Sequence, residues 1–492
     1  MPRLIKFILQ KKLEKVVLEN IGNLYKNWSG TEFQKIEALP ESGSYRKYFR
    51  LTGRETTVMA VYNNDEKENI AFLRFTMHFL QKKLPVPMVY AEDLGKSCYL
   101  LEDLGNVTLY DYIKTVRTGV EFPDDLVEIY KRVIDQLLRF QMIGSGDFDY
   151  SNCYPRSAFD EQSMMWDLNY FKYYFLKLAK IPFDEQALED DFKRFTQFLL
   201  QAPHDFFLYR DFQSRNIMLK NNEPYFIDYQ GGRKGALQYD LASLLYDAKA
   251  EIPEEVRIEL RDYYIDKLTD YQSVDREQFI AYYNAYILIR IMQAMGAYGF
   301  RGFYEKKTHF LQSIPMAVKN LEYLLATVKM PAQLSELWHV LGSVCKSEEL
   351  KKYGEQERKL TVNICSFSYR KGLPTDESGN GGGFIFDCRA IHNPGKYEQY
   401  INLTGRDAPV IEFLEKEMEM DVFLKSVFSL VDASVEKYNE RRFSNLMVCF
   451  GCTGGRHRSV YSAEKLADHL KSKYKVKIIL NHREQGIIEH IN

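Results

Sequence analysis

The stretch Tyr209-Arg210-Asp211-Phe212-Gln213-Ser214-Arg215-Asn216 carries an aspartate and, five residues later, an asparagine; beyond a short hairpin follows Ile227-Asp228-Tyr229-Gln230. Phosphoryl transfer calls for this set. One carboxylate, Asp211, orients and deprotonates an attacking hydroxyl, while Asn216 and Asp228 offer hard oxygen ligands to a Mg²⁺ ion on a nucleotide's phosphates. A second group lies near the C-terminus, in Cys449-Phe450-Gly451-Cys452-Thr453-Gly454-Gly455-Arg456-His457-Arg458-Ser459. An apolar strand runs there into a glycine-rich turn that opens a helix, so unpaired backbone N–H groups and the helix dipole converge on an anion. Arg456, His457 and Arg458 add charge. The chemistry of that turn is phosphate or sulfate binding.

The elements that hold these groups follow from periodicity. Leu13, Val16, Val17, Ile21 and Leu24 recur at helical spacing, and Asn27-Trp28-Ser29-Gly30 stops that helix. From residue 33 to about 63, three runs of aromatic and β-branched residues form an antiparallel meander. A helix over Asn69–Lys83 ends at Pro85 and Pro87, and strands over Met88–Glu92 and Ser97–Glu102 lead into a mainly helical region. A small sheet with one helix followed by a larger helical body makes two lobes. Ile217–Lys220, an Asn221-Asn222 turn and Tyr225–Asp228 form a β-hairpin inside that helical body. Helices resume from 236 to about 328, Pro331 breaks the pattern, and a helix with a charged tail links to a third unit from Leu360. There, strands over Leu360–Ser368, Gly383–Cys388, Asn445–Phe450 and Val476–Asn481 alternate with helices, which implies a largely parallel α/β sheet.

Composition excludes several classes. The chain has 492 residues, more than one core usually organises, so two or three domains are expected. Its 66 Lys and Arg balance 68 Asp and Glu, a net charge of -2 that disfavours a dedicated polyanion binder. Apolar residues at 45% and aromatic residues at 14% suit packed domains and not disorder. No apolar run reaches the ~18 residues of a membrane helix, and no signal peptide opens the chain. Seven scattered Cys argue against a disulfide framework and for a reducing compartment, so a cytoplasmic protein with no membrane partner is expected. Cys449 and Cys452 form a C-x-x-C, but no second pair or His cluster completes a zinc site.

Residues from about 30 to 325 resemble the aminoglycoside phosphotransferase and choline kinase superfamily, whose loop reads H-x-D-x-x-x-x-N with a metal aspartate after a short hairpin. Tyr209 replaces the histidine. Ser44-Tyr45-Arg46-Lys47-Tyr48-Phe49-Arg50-Leu51, Val86-Pro87, Leu100-Leu101-Glu102-Asp103-Leu104-Gly105 and Leu168-Asn169-Tyr170-Phe171 are most similar to the anomeric kinases of N-acetylmuramate and N-acetylglucosamine in cell-wall recycling. The resemblance implies a protein-kinase-like α+β fold and an ATP- and Mg²⁺-dependent phosphotransferase acting on an amino sugar's anomeric hydroxyl, with Asp211 as base. It also implies metal ligation by Asn216 and Asp228, nucleotide contacts from Ser44, Arg46, Arg50, Glu102 and Leu104, and a buttressing role for Asp240. Thr57-Val58-Met59-Ala60-Val61 lacks the third-strand lysine that pairs nucleotide phosphates in protein kinases, leaving Arg46, Lys47 or Arg50 to substitute. Asp167 and Tyr170 on one helix, with Arg290 and Gln293 on a later one, are the residues expected to line the sugar pocket.

Two resemblances compete for the C-terminal turn. Read as Cys452, five residues, then Arg458-Ser459, it fits Cys-dependent phosphatases, in which a thiolate lowered by a helix N-terminus attacks phosphorus; Gly451 stands where those enzymes usually have His. Residues 360 to 485 as a whole resemble the C-terminal domain of RapZ, a bacterial RNase adaptor. The matching strings are Ser366-Phe367-Ser368-Tyr369-Arg370-Lys371-Gly372-Leu373-Pro374, Phe386-Asp387-Cys388-Arg389, Leu403-Thr404-Gly405-Arg406-Asp407-Ala408-Pro409-Val410, Gly451 to Gly455 with His457-Arg458-Ser459-Val460, and Asn481-His482-Arg483. RapZ's nucleotide-binding half is absent, and Gly379 to Gly383 has no counterpart. This resemblance implies a sensor for glucosamine 6-phosphate built from Thr453, Gly454, Gly455, Arg456, His457, Arg458 and Ser459 with Asp387, Arg389, Thr404, Gly405 and Arg406. RNA is a further partner it implies, for which Lys471, Lys473, Lys475 and Lys477 are the one basic cluster; alternate lysines on a strand edge also serve as aggregation guards.

The expected organisation is therefore an N-terminal helix (1–30), a kinase N-lobe (31–106), a helical C-lobe (107–328), a helical linker (329–358) and a smaller α/β domain (359–492) with a phosphate-binding strand-loop-helix. An alternative is a regulatory adaptor that binds nucleotide and hexosamine phosphate without turnover.

Overall fold

The computed structural model describes residues 2–39, 46–54, 56–117, 122–328, 333–355, 360–376, 382–440, 443 and 445–491. They fall into two compact units, Met1–Gly354 and Glu355–Asn492.

The first unit opens with helix α1 (Pro2–Ser29), which starts well before the expected residue 13. Val17, Ile21, Leu24 and Tyr25 of α1 pack on one face of a five-stranded antiparallel sheet with Leu51, Val58, Ala60 and Leu100. The strands are β1 (Lys35–Ala38), β2 (Lys47–Thr52), β3 (Thr57–Tyr62), β4 (Val89–Asp93) and β5 (Cys98–Glu102), in spatial order β1-β2-β3-β5-β4. Helix α2 (Glu66–Gln81) crosses between β3 and β4; the Asp65 side chain caps it by accepting the N–H of Glu68 at 3.1 Å. Phe72 of α2 stacks on Tyr229 with ring centroids 5.0 Å apart, so this helix touches the segment carrying Asp228.

The larger lobe contains α3 (Leu109–Val116), α4 (Asp124–Met142), α5 (Glu161–Phe171), α6 (Glu185–Leu199), α7 (Leu237–Leu245), α8 (Glu254–Leu268), α9 (Arg276–Tyr298) and α10 (Ile314–Thr327). Strand β6 (Phe206–Leu208) leads into the Asp211 loop; hairpin β7 (Ile217–Lys220)–β8 (Glu223–Phe226) follows, and β9 (Arg233–Gly235) pairs back on β6. Helices α11 (Ser335–Lys346) and α12 (Glu348–Glu355) occupy the stretch read as a linker. Leu337, Val340, Leu341 and Val344 of α11 are instead part of the first unit's core, and the N–H of Leu337 donates to Asp191 Oδ2 at 2.8 Å. The four apolar residues sit on one helical face, and burying it outweighs leaving the segment free.

In the second unit β10 (Thr361–Ser368), β11 (Gly383–Asp387), β12 (Asn445–Cys452) and β13 (Lys477–His482) are parallel, in the order β11-β12-β10-β13, and β14 (Ile487–Ile491) adds an antiparallel edge. Helices α13 (Ala408–Glu415), α14 (Met418–Glu440) and α15 (Arg458–Lys473) complete it. One sheet face, with Val362, Ile364, Val448, Phe450, Ile478 and Leu480, forms the core with Leu466, Ala467 and Leu470 of α15. Cys449 and Cys452 lie three residues apart in a strand, so they face opposite sides of the sheet and do not form one chelating pair. Among the described residues no helix is long and apolar enough to cross a membrane, and no cluster of three or more His, Cys, Asp or Glu is arranged to hold a metal.

Candidate active site and phosphate loop

Asp211, Asn216 and Asp228 meet at one point. Asn216 Nδ2 donates to the carbonyl of Asp211 at 2.8 Å and to Asp228 Oδ2 at 3.3 Å. The N–H of Ile227 donates to the Asn216 carbonyl at 3.1 Å, tying the hairpin's two ends together. Gln213 reaches Asp211 Oδ1 at 3.3 Å, and Gln230 donates to Asp228 Oδ1 at 2.8 Å. Burial raises the pKa of Asp228, opposed chiefly by the charge of Arg46. A carboxylate held in this way gains from a cation.

The loop is fixed from below by Asp240, buried on α7. Its Oδ2 accepts the N–H of Tyr209 at 2.7 Å and its Oδ1 that of Arg210 at 3.0 Å. Burial pushes this carboxyl up to about 7, while those two backbone bonds work the other way. Arg210 sits at φ 84°, a region uncommon for any residue but glycine, and the Asp240 bonds hold it there. Tyr209, in the histidine's place, is buried and donates its hydroxyl to the Ile227 carbonyl at 2.7 Å, so it bridges the catalytic loop to the segment of Asp228.

Arg46, one of the cations expected at the nucleotide, points at this centre. It is 3% exposed; its Nη1 lies 3.5 Å from Asp228 Oδ1, and its Nη2 donates to Glu68 Oε2 on α2 at 2.9 Å. Asn63 Nδ2 holds the same Glu68 oxygen at 3.1 Å. Glu68 escaped the sequence reading; its signal is a carboxylate in the first turn of the helix that follows the third strand. Arg50 is engaged elsewhere, which departs from its expected nucleotide contact: it forms a two-point ion pair with Asp103, at 2.7 and 3.0 Å, and donates to the Gly105 carbonyl. It braces the segment that follows β5. The Glu102 carboxylate pairs with Lys220 and accepts the N–H of Met88, and its own N–H donates to the Met88 carbonyl at 2.9 Å, so its side chain is engaged away from a nucleotide. Ser44 lies outside the described residues.

The acceptor-side residues divide. Asp167 of α5 forms a two-point pair with the Arg210 guanidinium, at 2.6 and 2.8 Å, which makes it a brace of the catalytic loop. Tyr170 packs edge-on to Tyr174 with centroids 5.1 Å apart. Arg290 donates to Ser243 Oγ at 2.9 Å and to Gln293 Oε1; with Gln213, Asp247 and Tyr298 it lines a small cavity beside the Asp211 loop.

In the second unit the turn after β12 lies at the C-terminal ends of the central strands, where open α/β sheets bind ligands. Ser368 at the end of β10 donates its hydroxyl to the Thr453 carbonyl at 2.8 Å, and Gly455 adopts φ 66°. The N–H of Gly405 donates to the Arg456 carbonyl at 2.9 Å, which brings the 404–406 segment against the turn. A Cβ on Gly405 would lie 2.2 Å from the His457 carbonyl oxygen, so only glycine allows this approach. Thr404 donates its hydroxyl to Asp407 at 2.8 Å. His457 contacts the Tyr400 carbonyl at 2.9 Å, and burial lowers its pKa. Arg458 is buried, with Nη1 donating to the carbonyls of Arg389 and Ile391 at 3.0 and 2.6 Å.

Two expected cations are matched by carboxylates. Arg406 pairs with Glu464 and Glu489, each at 2.8 Å, and Arg389 pairs with Asp387 at 2.7 Å while lying 4.0 Å from the centre of the Tyr369 ring. Glu484, not foreseen, borders the turn, accepting the N–H of Ser368 at 3.3 Å and pairing with Lys371 at 2.6 Å.

The first unit is thus a kinase-like α+β fold, and the second an α/β domain in which β12 runs through a glycine-rich turn into α15. Residues 35–276 match the model of the phosphotransferase enzyme family and residues 360–486 that of the RapZ C-terminal domain. Two separate stretches of the chain thus match two different family models.

Among curated proteins, a nucleotide-binding protein of Endomicrobium trichonymphae is 38% identical over 160 residues, 32% of this chain and 50% of that one. An RNase adapter protein RapZ of Sodalis glossinidius (strain morsitans) is 34% identical over 168 residues, 33% of this chain and 56% of its own length. The chain therefore spans about half the length of the curated relatives it matches. Among solved structures, the choline kinase LicA from Streptococcus pneumoniae matches at 16% identity and TM-score 0.41, covering 63% of this chain and 99% of that one. The amicoumacin kinase hAmiN in complex with AMP-PNP, Ca²⁺ and Ami matches at 13% identity and TM-score 0.43, covering 68% of this chain and 99% of that one.

Proposed function

We propose that the chain is an ATP-dependent kinase of a small hydroxylated acceptor, an amino sugar of the N-acetylmuramate or N-acetylglucosamine class, with a C-terminal sensor of hexosamine phosphate. The observation that carries the kinase reading is the Asn216 side chain bridging the Asp211 loop and Asp228. Asp211 takes the proton of the acceptor hydroxyl, and Asp240 with Tyr209 keeps that carboxylate in place. The donor set of Asp228 carboxylate and Asn216 carbonyl oxygen is hard and fits Mg²⁺, which when bound neutralises phosphate charge. Arg46, held by Glu68, supplies the cation that the third strand lacks and faces the nucleotide's phosphates. The backbone of residues 102–104 holds the base.

In this reading residues 31–106 and 107–328 act as the two kinase lobes around the nucleotide, and residues 359–492 as the sensor. The sugar itself rests on the resemblance to anomeric kinases, as does glucosamine 6-phosphate on that to RapZ. The deciding experiment is Mg²⁺-dependent ATP turnover across a panel of N-acetylated hexosamines, with the product identified and Asp211→Ala as control. Sugar-dependent ADP release lost in Asp211→Ala supports the enzyme; nucleotide binding without such turnover leaves the adaptor reading standing and refutes this one.

A further inference from the structure

We propose that Cys452 is a nucleophile and that the second unit hydrolyses phosphomonoesters through a cysteinyl-phosphate. The activity is separate from the kinase reaction and is not needed for a sensor.

The first observation is the environment of the sulfur. Cys452 ends β12, and its Sγ lies 3.2 Å from the Gly455 N–H and 3.2 Å from Ser459 Oγ. Backbone N–H groups of Ser459 and Arg456 also turn toward it. The donors that make an anion cradle at the start of α15 thus converge on the sulfur. Burial works to raise the thiol's pKa, but the Ser459 hydroxyl, these N–H groups and the Arg458 charge bring it below the ordinary value. By contrast burial pushes the neighbouring Cys388 thiol up to about 12.

Arg458 is the second, independent observation. Its side chain is 4% exposed, and Nη1 is anchored on two carbonyls, yet the buried Nε has no partner among the described residues. One end of the guanidinium is spent on holding the 389–391 segment, and its Nε keeps a desolvated, unpartnered donor on a group whose charge acts on the thiol. A phosphate oxygen satisfies that donor, as guanidinium groups pair readily with phosphate. Five residues separate Cys452 from Arg458, which lets one turn carry the attacking atom and this cation together.

In the reaction the Sγ lone pair attacks phosphorus and the P–O bond to the leaving group breaks, its electron pair staying on that oxygen. The leaving oxygen takes a proton from solvent. Water then attacks the thiophosphate, the S–P bond breaks, thiolate is restored, and orthophosphate departs with the proton balance closed by solvent. The carboxylates at hand are engaged as bases, Asp387 with Arg389 and Asp407 with Thr404, and both pKa values lie below the ordinary range, so neither donates a proton. The substrate class is therefore phosphomonoesters whose leaving group is stable as an anion, aryl and enol esters.

The test uses the full chain with p-nitrophenyl phosphate and no ATP. Expected are equimolar nitrophenolate and orthophosphate, a phosphate adduct seen by intact mass after acid quench, and loss of turnover by about 10³-fold or more in Cys452→Ser. Ser459→Ala should move the acid limb of the rate to higher pH, and hydrolysis should persist in excess EDTA, which separates this site from the Mg²⁺-dependent kinase. No hydrolysis by the wild type, or equal rates in wild type and Cys452→Ser with both folded by thermal melt, overturns the proposal.

Discussion

Asp240 offers the sharpest test of how the catalytic loop is held. Replacing it by alanine leaves two buried N–H donors, those of Tyr209 and Arg210, without the carboxylate that accepts them at 2.7 and 3.0 Å. Each orphaned donor costs about 1–3 kcal/mol, so Asp240→Ala should destabilise the first unit by about 2–6 kcal/mol, a large part of a domain's ~5–15 kcal/mol. Asp240→Asn retains one acceptor oxygen and should lose about half as much. The loss falls on the two residues before Asp211, and Arg210 at φ 84° relaxes once its N–H is released, so kcat should fall in both variants at temperatures where they remain folded. Urea unfolding followed by tryptophan fluorescence, with ATP turnover at the same temperature, measures both effects. If Asp240→Ala unfolds within about 0.5 kcal/mol of wild type, or loses stability while keeping kcat, then the loop is not held in the way argued.

Further outcomes follow from other contacts. Arg46→Ala and Glu68→Gln should each lower kcat/KM for ATP, and the double variant should lose little beyond the Arg46 change; additive losses would show that Glu68 does not act through Arg46. Gly405→Ala sets a Cβ against the His457 carbonyl and the Tyr461 N–H, backbone atoms that cannot step aside, so it should destabilise the second unit by about 1–3 kcal/mol or more and weaken orthophosphate binding in calorimetry. Glu464 has its pKa lowered by the His482 hydrogen bond and by Arg406. Its folded value lies below the unfolded one, so its contribution is complete above the usual glutamate range near pH ~4.3 and drains away as pH falls below it. Thermal melts of wild type and Glu464→Gln should therefore converge on acidification from pH 6 to 3, and parallel curves would refute the assignment.

The catalytic centre was legible because its residues are bound to one short stretch: spacing along a loop and hairpin is enough to bring Asp211, Asn216 and Asp228 together, and Asp240 follows at a fixed remove. The cations were not. Nothing in the order of Arg46, Lys47 and Arg50 tells which points inward, since the choice depends on partners far along the chain, Glu68 for Arg46 and Asp103 for Arg50. The same holds for Arg406, whose charge is met by Glu464 on α15 and Glu489 on β14, elements whose register against it is a product of the sheet. Parallel strands in the second unit could be read from apolar runs alternating with helices. The packing of Leu337, Val340, Leu341 and Val344 on the first unit's core is not legible from the segment itself, because a break at Pro331 and a charged tail also fit a free linker.

The pair between Asp167 and Arg210 has a consequence for how acceptor preference can change. In the proposed reading helix α5 is at once a wall of the acceptor side and, through Asp167, a strut of the Asp211 loop. A substitution that reshapes that wall near residue 167 also shifts the peptide next to Asp211, so selectivity and turnover are coupled traits in this fold. Variants selected for a new acceptor should accumulate changes first at Gln293 and Tyr170, which among the described residues contribute no hydrogen bond to the loop, and reach Asp167 only when a compensating change at residue 210 accompanies it.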